Sequence, residues 1–246
     1  MLLRLEHVTK RYARPAGERV ALDNVSLTVD RGQMIGVFGP SGSGKTTLLR
    51  IASGLQRPDH GAVIYNGERL DAMSSAERIR FRRREVACVW SDGSTPTGLS
   101  VIDHTAVPLL VDHRDHRAAE RRAREALLAC GVERCADLRM EELSDGEREC
   151  VSLARALASE PRLLLADGPA SRLALIEQEQ LMALLASLAR DAKVAIVVTD
   201  SNAEALTRCE PLLYLNEGKL LNPEAAPAPG RVYQFPVPPA QSAADA

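Results

Sequence analysis

The nine residues Gly39-Pro40-Ser41-Gly42-Ser43-Gly44-Lys45-Thr46-Thr47 match the pattern G-x-x-x-x-G-K-[ST], in which Gly39, Gly44, Lys45 and Thr46 occupy the fixed positions. Residues 34–38 before them form an apolar run typical of a buried strand, and residues 47–51 have the composition of a helix start. A strand, a glycine-rich loop and a helix in this order are the context in which the pattern predicts a phosphate-binding loop.

The residue types in this loop explain why it would bind phosphate. Glycines allow consecutive backbone N–H groups to turn inward as an anion nest, and the helix N-terminus adds partial positive charge. Lys45 would neutralise the β- and γ-phosphates, and the Thr46 hydroxyl would ligate Mg²⁺. The competing interpretation is a Gly/Ser-rich turn before a helix, which leaves the lysine unexplained. The loop therefore predicts a nucleotide-binding protein.

Composition places the chain among ordinary globular proteins. Of its 246 residues, 45% are hydrophobic and 26% charged, whereas only 3% are aromatic, which predicts a core of Leu, Val, Ile and Ala. A formal net charge of −2 gives no reason to expect nucleic acid as a partner. No apolar run approaches the ~18 residues of a membrane span, and residues 1–7 lack the apolar core of a signal peptide. The five cysteines are expected to be reduced thiols, and His113 and His116 to lie in a solvated helix start.

The other segments predict strands and helices with a helical insertion. Residues 2–8 and 20–29 are expected to be strands that flank a basic hairpin at 10–19, and residues 61–67 another strand. A basic helix with a solvated face is predicted at Ser75–Arg84, and residues 91–142 are helical and arginine-rich in composition. Further strands are expected at 86–90, 162–167, 193–199 and 212–218, and further helices after Leu143 and at 176–190.

Residues 2–221 resemble the nucleotide-binding subunits of ATP-binding-cassette (ABC) transporters. The resemblance rests on the phosphate loop, on Asp167 at the end of an apolar Walker B strand, and on a segment in the place of the LSGGQ signature, Leu143-Ser144-Asp145-Gly146-Glu147. The segment AERIRFR at 76–82 resembles the lipoprotein-release and macrolide-export type.

The resemblance implies an α/β fold with a P-loop NTPase (RecA-like) core, an antiparallel β-subdomain and an inserted α-helical subdomain at about 92–150. This nucleotide-binding domain is expected to span residues 1–222. The remaining residues, 223–246, are rich in Pro and Ala and are expected to form an extended or disordered tail.

The same resemblance assigns binding roles. The nucleotide is expected to contact Tyr12, which would stack on the adenine, the loop residues 39–47 and Asp167. Taken as an isolated residue, Tyr12 would instead be a surface tyrosine of the basic hairpin. The magnesium ligands would be Thr46 and, through water, Asp167. The signature residues 143–147 would grip the γ-phosphate bound to a second subunit, a grip weakened by Asp145, which replaces a glycine.

Three positions depart from the family's catalytic pattern. Ser91 stands where the family has a glutamine, Gly168 where it has the glutamate after the Walker B aspartate, and Asp200 where it has a histidine. No shift of register restores the glutamine or the histidine, because the sequence has neither residue near those positions. In addition, Ala174 replaces the aspartate of the family's D-loop.

These departures predict nucleotide binding without efficient hydrolysis. Phosphoryl transfer needs a positioned water and stabilised charge, and glycine has no side chain with which to orient that water. An ionised Asp200 would repel the γ-phosphate instead of donating to it. Loss of a general base alone typically costs ~10²–10⁴-fold in rate.

The leading hypothesis is an ATP-binding subunit with ATP and Mg²⁺ as its ligands. It would be cytoplasmic and would dock against ABC transporter membrane subunits on the inner face of the cell membrane. A second nucleotide-binding subunit is expected, and a heterodimer is favoured because this chain would lend Ser144 and Gly146 to an intact partner. No nucleic-acid partner is expected. The alternatives left open are a fully active transport ATPase, a functional homodimer with a rescuing residue elsewhere, a chain with no remaining function, and an ATP-gated module acting on a soluble partner. The resemblance to the lipoprotein-release and macrolide-export type favours export or lipid extraction as the transport process.

Overall fold

A computed structural model describes residues 1–15, 17–90, 98–111 and 115–221. Ser91, His113 and the tail at 223–246 lie outside the described residues. In chain order the strands and α-helices are β1 (Leu3–Arg14), β2 (Gly17–Val29), β3 (Met34–Phe38), α1 (Lys45–Ala52), β4 (His60–Tyr65), β5 (Glu68–Arg69), α2 (Ser75–Arg84), β6 (Val86–Trp90), α3 (Val101–Val111), α4 (His116–Ala129), α5 (Asp145–Ala158), β7 (Leu163–Asp167), α6 (Leu175–Ala192), β8 (Ala195–Asp200), β9 (Leu212–Asn216) and β10 (Lys219–Leu221).

The larger sheet places the phosphate loop beside two acidic residues. Its strand order is β10-β9-β3-β8-β7-β6, and every neighbouring pair from β9 to β6 is parallel. Such strands are almost continuously apolar because helices or a second sheet cover both faces. Parallel strands end at one edge of the sheet, so Asp167 and Asp200, the last residues of β7 and β8, lie at the same edge as the loop that follows β3.

The smaller sheet is antiparallel, in the order β2-β1-β4-β5, as the predicted β-subdomain requires. The prediction of a strand at 2–8 followed by a hairpin at 10–19 was wrong in its boundaries. β1 continues to Arg14 and pairs with β2 as far as Gly17, so most of the basic hairpin is paired strand. This pairing sets Tyr12 opposite Arg19. Leu3, Leu5 and other apolar residues of this sheet share a core cluster with α1 and with one face of the larger sheet.

The other face of the larger sheet is covered by helices. A second core cluster joins α3, α4, α5 and α6 to alternate residues of β7 and β8, such as Leu164 and Ile196. α5 continues to Ala158, beyond residue 150, where the helical subdomain is predicted to end. The predicted basic helix at 75–84 is confirmed as α2, with Phe81 as its buried residue. Among the described residues, none of the helices has both the length and the apolarity that crossing a bilayer would require.

Two predicted strand boundaries differ for local reasons. The strand predicted at 193–199 begins at Ala195, because Lys193 adopts a left-handed conformation, φ 56°, that ends α6. It also includes Asp200, which pairs in register with Phe38. Asp200 therefore belongs to the sheet edge and does not begin the following loop.

His104 is a buried titratable residue in the helical layer. It lies on α3, is 3% exposed, and has Nε2 3.4 Å from the Arg155 guanidinium on α5. Its Nδ1 is buried without a hydrogen-bond partner among the described residues. Burial and the nearby Arg155 charge lower the pKa of His104 from 6.5 to about 4. The imidazole is therefore neutral in the folded chain at neutral pH.

We expect the free energy of unfolding to fall as the pH drops from about 6.5 to about 4. In that range the unfolded chain takes up a proton at His104 that the folded chain excludes, so acid favours unfolding. Urea unfolding at pH 7 and pH 5 measures the change, and His104→Asn should reduce the difference between the two pH values. His60→Asn, at an exposed histidine, is the matched control. If His104→Asn had the same pH dependence as the wild type, His104 would not be the group whose protonation destabilises the folded chain.

Candidate functional site

The phosphate loop has two glycines that the surrounding backbone requires. A Cβ on Gly39 would lie 2.0 Å from the carbonyl oxygen of Leu215 in β9. Gly44, the N-cap of α1, has φ +116°, and a Cβ there would lie 2.2 Å from the carbonyl oxygen of Ala21 in β2. Any side chain at either position would displace main chain, so the two fixed glycines let the loop pack between β2 and β9.

Lys45, the first residue of α1, folds its side chain back onto the loop. Its ammonium donates to the carbonyl oxygens of Gly39 at 2.6 Å and Pro40 at 2.9 Å. Burial lowers the pKa of Lys45, while the negative charges of Asp167 and Asp200 oppose this shift. The loop thus holds a half-buried cation close to two carboxylates.

Thr46 and Asp167 meet at the end of β7. The Thr46 hydroxyl donates to Asp167 Oδ2 at 2.6 Å, and the Thr199 hydroxyl donates to Asp167 Oδ1 at 2.6 Å. Asp167 is 8% exposed. Hydroxyl and carboxylate oxygens are the ligand types that Mg²⁺ prefers, and the 2.6 Å separation places both within reach of one small cation. The two predicted metal ligands are therefore side by side.

Most of the predicted nucleotide residues border one cavity of about 550 Å³, namely Tyr12, Ser41, Gly42, residues 44–47 and Asp167. Of the predicted set, Gly39, Pro40 and Ser43 do not border it. The Tyr12 hydroxyl donates to Gln56 Oε1 at 2.7 Å and lies 3.4 Å from Thr47 Oγ1. The tyrosine hydroxyl thus lies near one residue of α1 and one residue that follows this helix. A cavity of this size is in the range of small-molecule sites.

Cationic residues beside the loop were not predicted. Arg19 donates to the carbonyl of Gly42, and Arg14, Arg19 and Arg50 all border the cavity. The sequence indicated only that residues 10–19 are basic. The pairing of β1 with β2, which carries Arg19 toward the loop, depends on contacts between distant segments that the local pattern does not specify. These arginines add positive charge where a nucleotide would bring negative charge.

Gly168 and Asp200 lie in the same cavity as Lys45. Gly168 has φ +60°, and its N–H donates to the Thr199 carbonyl at 2.8 Å. Asp200 is 5% exposed, and its Oδ1 accepts from the Asn202 N–H at 2.9 Å. Its Oδ2 is buried without a hydrogen-bond partner in the described parts of the chain. The cavity thus holds an uncompensated carboxylate oxygen and, at residue 168, no side chain at all.

The signature segment lies at the N-terminus of α5. The Ser144 hydroxyl accepts from the Glu147 N–H at 3.2 Å, and the Glu147 carboxylate accepts from the Ser144 N–H at 3.0 Å, forming a capping box. Hydrogen bonds donated to the carboxylate by the Ser144 N–H and hydroxyl lower the pKa of Glu147. Asp145 pairs with Arg148 at 2.8 Å, which partly neutralises the added charge. Among the described residues, none of the segment 143–147 borders the cavity of its own chain.

The start of α6 lies against the signature segment. A Cβ on Gly146 would lie 2.8 Å from Glu177 Oε1, and Leu143 of the same segment is buried. Glu177 accepts from the Ala174 N–H at 3.0 Å, so this carboxylate caps α6. Glu177, the first acidic residue after Asp167, is therefore engaged next to Gly146 and does not border the cavity that includes Gly168.

Comparison with known proteins gives a consistent result. A protein-family model described as "ABC transporter" matches residues 22–171. MJ0796, described as a bacterial ABC transporter cassette in dimeric form, is 29% identical with a TM-score of 0.84, over 90% of this chain and 97% of its own. A post-hydrolysis structure of MJ0796 bound to ADP and Pi matches equally. CbiO1 from Clostridium perfringens, described as part of the ABC transporter complex CbiONQ, is 22% identical with a TM-score of 0.78. The match covers 90% of this chain and 87% of CbiO1, and at this identity it supports the fold alone.

The family match covers more than half of the chain and includes the phosphate loop, the signature segment and Asp167. The similarity to solved structures supports the same fold, a P-loop NTPase core with an antiparallel β-subdomain and a helical layer. The chain therefore belongs to the ABC transporter family, as an ATP-binding cassette.

Proposed function

We propose that this chain is an ATP-binding subunit of an ABC transporter that binds Mg-ATP at its own phosphate loop but hydrolyses it slowly or not at all. One observation carries the proposal: a single cavity is bordered by the proposed binding residues Lys45, Thr46 and Asp167 and by Gly168 and Asp200, which stand where the resemblance expects the hydrolytic groups. The ADP-bound and Pi-bound structure of MJ0796 supports a nucleotide as the ligand.

Binding would use the groups that the loop already orients. The backbone N–H groups of residues 41–47 and the N-terminus of α1 would hold phosphates, and Lys45 would exchange its two carbonyl contacts for phosphate oxygens. Thr46 and Asp167 would hold Mg²⁺, which when bound neutralises phosphate charge. Tyr12 would stack on the base, and its bond to Gln56 would fix the ring.

Hydrolysis would fail because the attacking water lacks an orienting group. Gly168 offers no side chain, and Asp200 brings negative charge instead of a donor. Positioning and electrostatics supply most of the rate in phosphoryl transfer, so the loss falls on the chemical step more than on binding. The sequence also has Ser91 where the family has a glutamine, and this replacement would slow hydrolysis further.

A second nucleotide-binding subunit would complete the arrangement. The dimeric form of MJ0796 supports an association of two cassettes. Ser144 and Gly146 would then face the nucleotide of the other subunit, with Asp145 partly neutralised by Arg148. A heterodimer with a catalytically intact partner is the form we favour, because two copies of this chain would hold two impaired sites.

Membrane subunits are the other proposed partners. The match to the family model described as "ABC transporter" supports such an assembly. A groove of about 450 Å³, bordered by β6, α3 and α5, includes Trp90, Val107 and Arg155 and would receive a segment of a membrane subunit. The chain would thus act on the cytoplasmic face, in a transporter of the lipoprotein-release or macrolide-export type. Its cassette would comprise residues 1–222, with 223–246 as an extension.

The test is ATP affinity and single-turnover hydrolysis of the purified chain with Mg²⁺. We expect micromolar-range binding and a hydrolysis rate at least about 100-fold below that of an intact cassette assayed in parallel. Binding with hydrolysis as fast as in the intact cassette would contradict the proposal. Purification from detergent-solubilised membranes tests the partners, and recovery of homodimers alone, with full turnover, would exclude the heterodimer.

A further inference from the structure

Asp200 places a carboxylate where a third phosphate would lie. It ends β8, and its main-chain carbonyl accepts from the N–H of Gly39, the first glycine of the loop, at 3.2 Å. Its side chain borders the cavity together with Lys45 and Gly168. The loop amides lie toward the α- and β-phosphates, whereas the lysine reaches the β- and γ-phosphates, so the Asp200 end of the cavity is the γ-phosphate end.

The two carboxylates that border the cavity differ in their partners. Asp167 has both oxygens paired with threonine hydroxyls, but Asp200 Oδ2 is buried and unpaired among the described residues. The Lys45 ammonium borders the same cavity but donates to the carbonyls of Gly39 and Pro40. Arg14, Arg19 and Arg50 also border this cavity, yet Asp200 Oδ2 stays without a hydrogen-bond partner among the described residues.

We infer that Asp200 makes this site prefer a nucleoside diphosphate to a triphosphate. The inference rests on the proposed nucleotide site and deepens it by naming the ligand that the site binds more tightly. The α- and β-phosphates interact with the loop amides and the helix N-terminus. A γ-phosphate would bring further negative charge beside the unpaired carboxylate, and repulsion between buried charges is only weakly screened.

Side-chain replacement at this position separates charge from shape. Asp200→Asn keeps an oxygen that can accept from the Asn202 N–H and replaces the unpaired oxygen by a donor. Asp200→His introduces the residue type that the family has there. Asp30→Asn removes one negative charge from an exposed position just before β3, at the opposite end of that strand from the loop, and is the matched control.

The experiment is titration calorimetry of ADP and ATP, each with Mg²⁺, on the full chain and these variants. We expect the wild type to bind ADP about tenfold or more tightly than ATP, a difference of about 1.4 kcal/mol. Asp200→Asn and Asp200→His should tighten ATP binding to within roughly twofold of ADP while ADP affinity stays unchanged. Asp30→Asn should behave as the wild type.

The possible failures are distinguishable. Equal affinities for ADP and ATP in the wild type, unaltered in Asp200→Asn, would overturn this inference and leave the proposed nucleotide site intact. Weaker ATP binding in Asp200→Asn would also overturn it, because Asp200 would then be a ligand of the bound metal. Failure of both nucleotides to bind the folded wild type would overturn the proposed site itself, and this inference with it.

Discussion

Lys45→Ala is expected to weaken nucleotide binding by about a hundredfold or more. The ammonium is the cation of the loop, and two carbonyl contacts hold it in place while burial lowers its pKa. Loss of a charge-assisted contact with phosphate costs about 3 kcal/mol, which corresponds to roughly a hundredfold in affinity. Titration calorimetry or fluorescent-nucleotide displacement measures the change for both ADP and ATP.

The matched control is Lys219→Ala. This lysine has the same charge, is exposed on β10 and pairs with Asp23 at 3.6 Å, and neither residue borders the cavity. It should leave nucleotide affinity unchanged, and both variants should unfold at nearly the wild-type urea concentration. Wild-type affinity in a folded Lys45→Ala protein would refute the assignment of the loop as the phosphate site.

Much of the fold was predictable because its elements have strong local patterns. β3 and the phosphate loop are specified by an apolar run and a glycine spacing, and α2 by Ser74 and Glu77, which form a capping box before a basic helix. The missed boundary of β1 depends on a tertiary contact, and that of β8 depends on a local backbone conformation. β1 extends to Arg14 only because β2 pairs with it, and Lys193 delays the start of β8 through its left-handed backbone.

The candidate site likewise contains residues that the sequence predicts and residues that only the tertiary structure brings to it. Residue types fixed by the motif, such as Lys45 and Thr46, could be chosen from spacing alone. Arg19 could not, since its contact with the Gly42 carbonyl requires the long β1–β2 ribbon to pass over the loop. The cap of α5 follows from the spacing of Ser144 and Glu147 in the sequence, and the structure confirms it as a capping box. The unpaired oxygen of Asp200 appears only once the sheet edge is assembled.

Restoring the hydrolytic groups by Gly168→Glu with Asp200→His is expected to raise the single-turnover rate of ATP hydrolysis about 100-fold or more over the wild type. The glutamate would orient and polarise the attacking water, a contribution of about 10²–10⁴-fold, and the histidine would remove the repelling charge and donate to the γ-phosphate. Each single variant should gain much less, because groups that act as a unit are not additive. Rapid-quench measurement with excess enzyme isolates the chemical step.

The Gly168→Glu substitution also strains the backbone, and this effect on stability must be distinguished from the effect of the carboxylate on the rate. Gly168 has φ +60°, and a residue with a Cβ in that left-handed region costs about 1–2 kcal/mol. Gly168→Gln with Asp200→His has the same backbone strain and nearly the same size but no carboxylate, so it should unfold at the same urea concentration as the glutamate variant without its gain in rate. Equal rates in the two double variants would show that the carboxylate is not what the site lacks. Faster hydrolysis in the glutamate variant alone would show that a binding site has been retained here from which the catalytic base is missing.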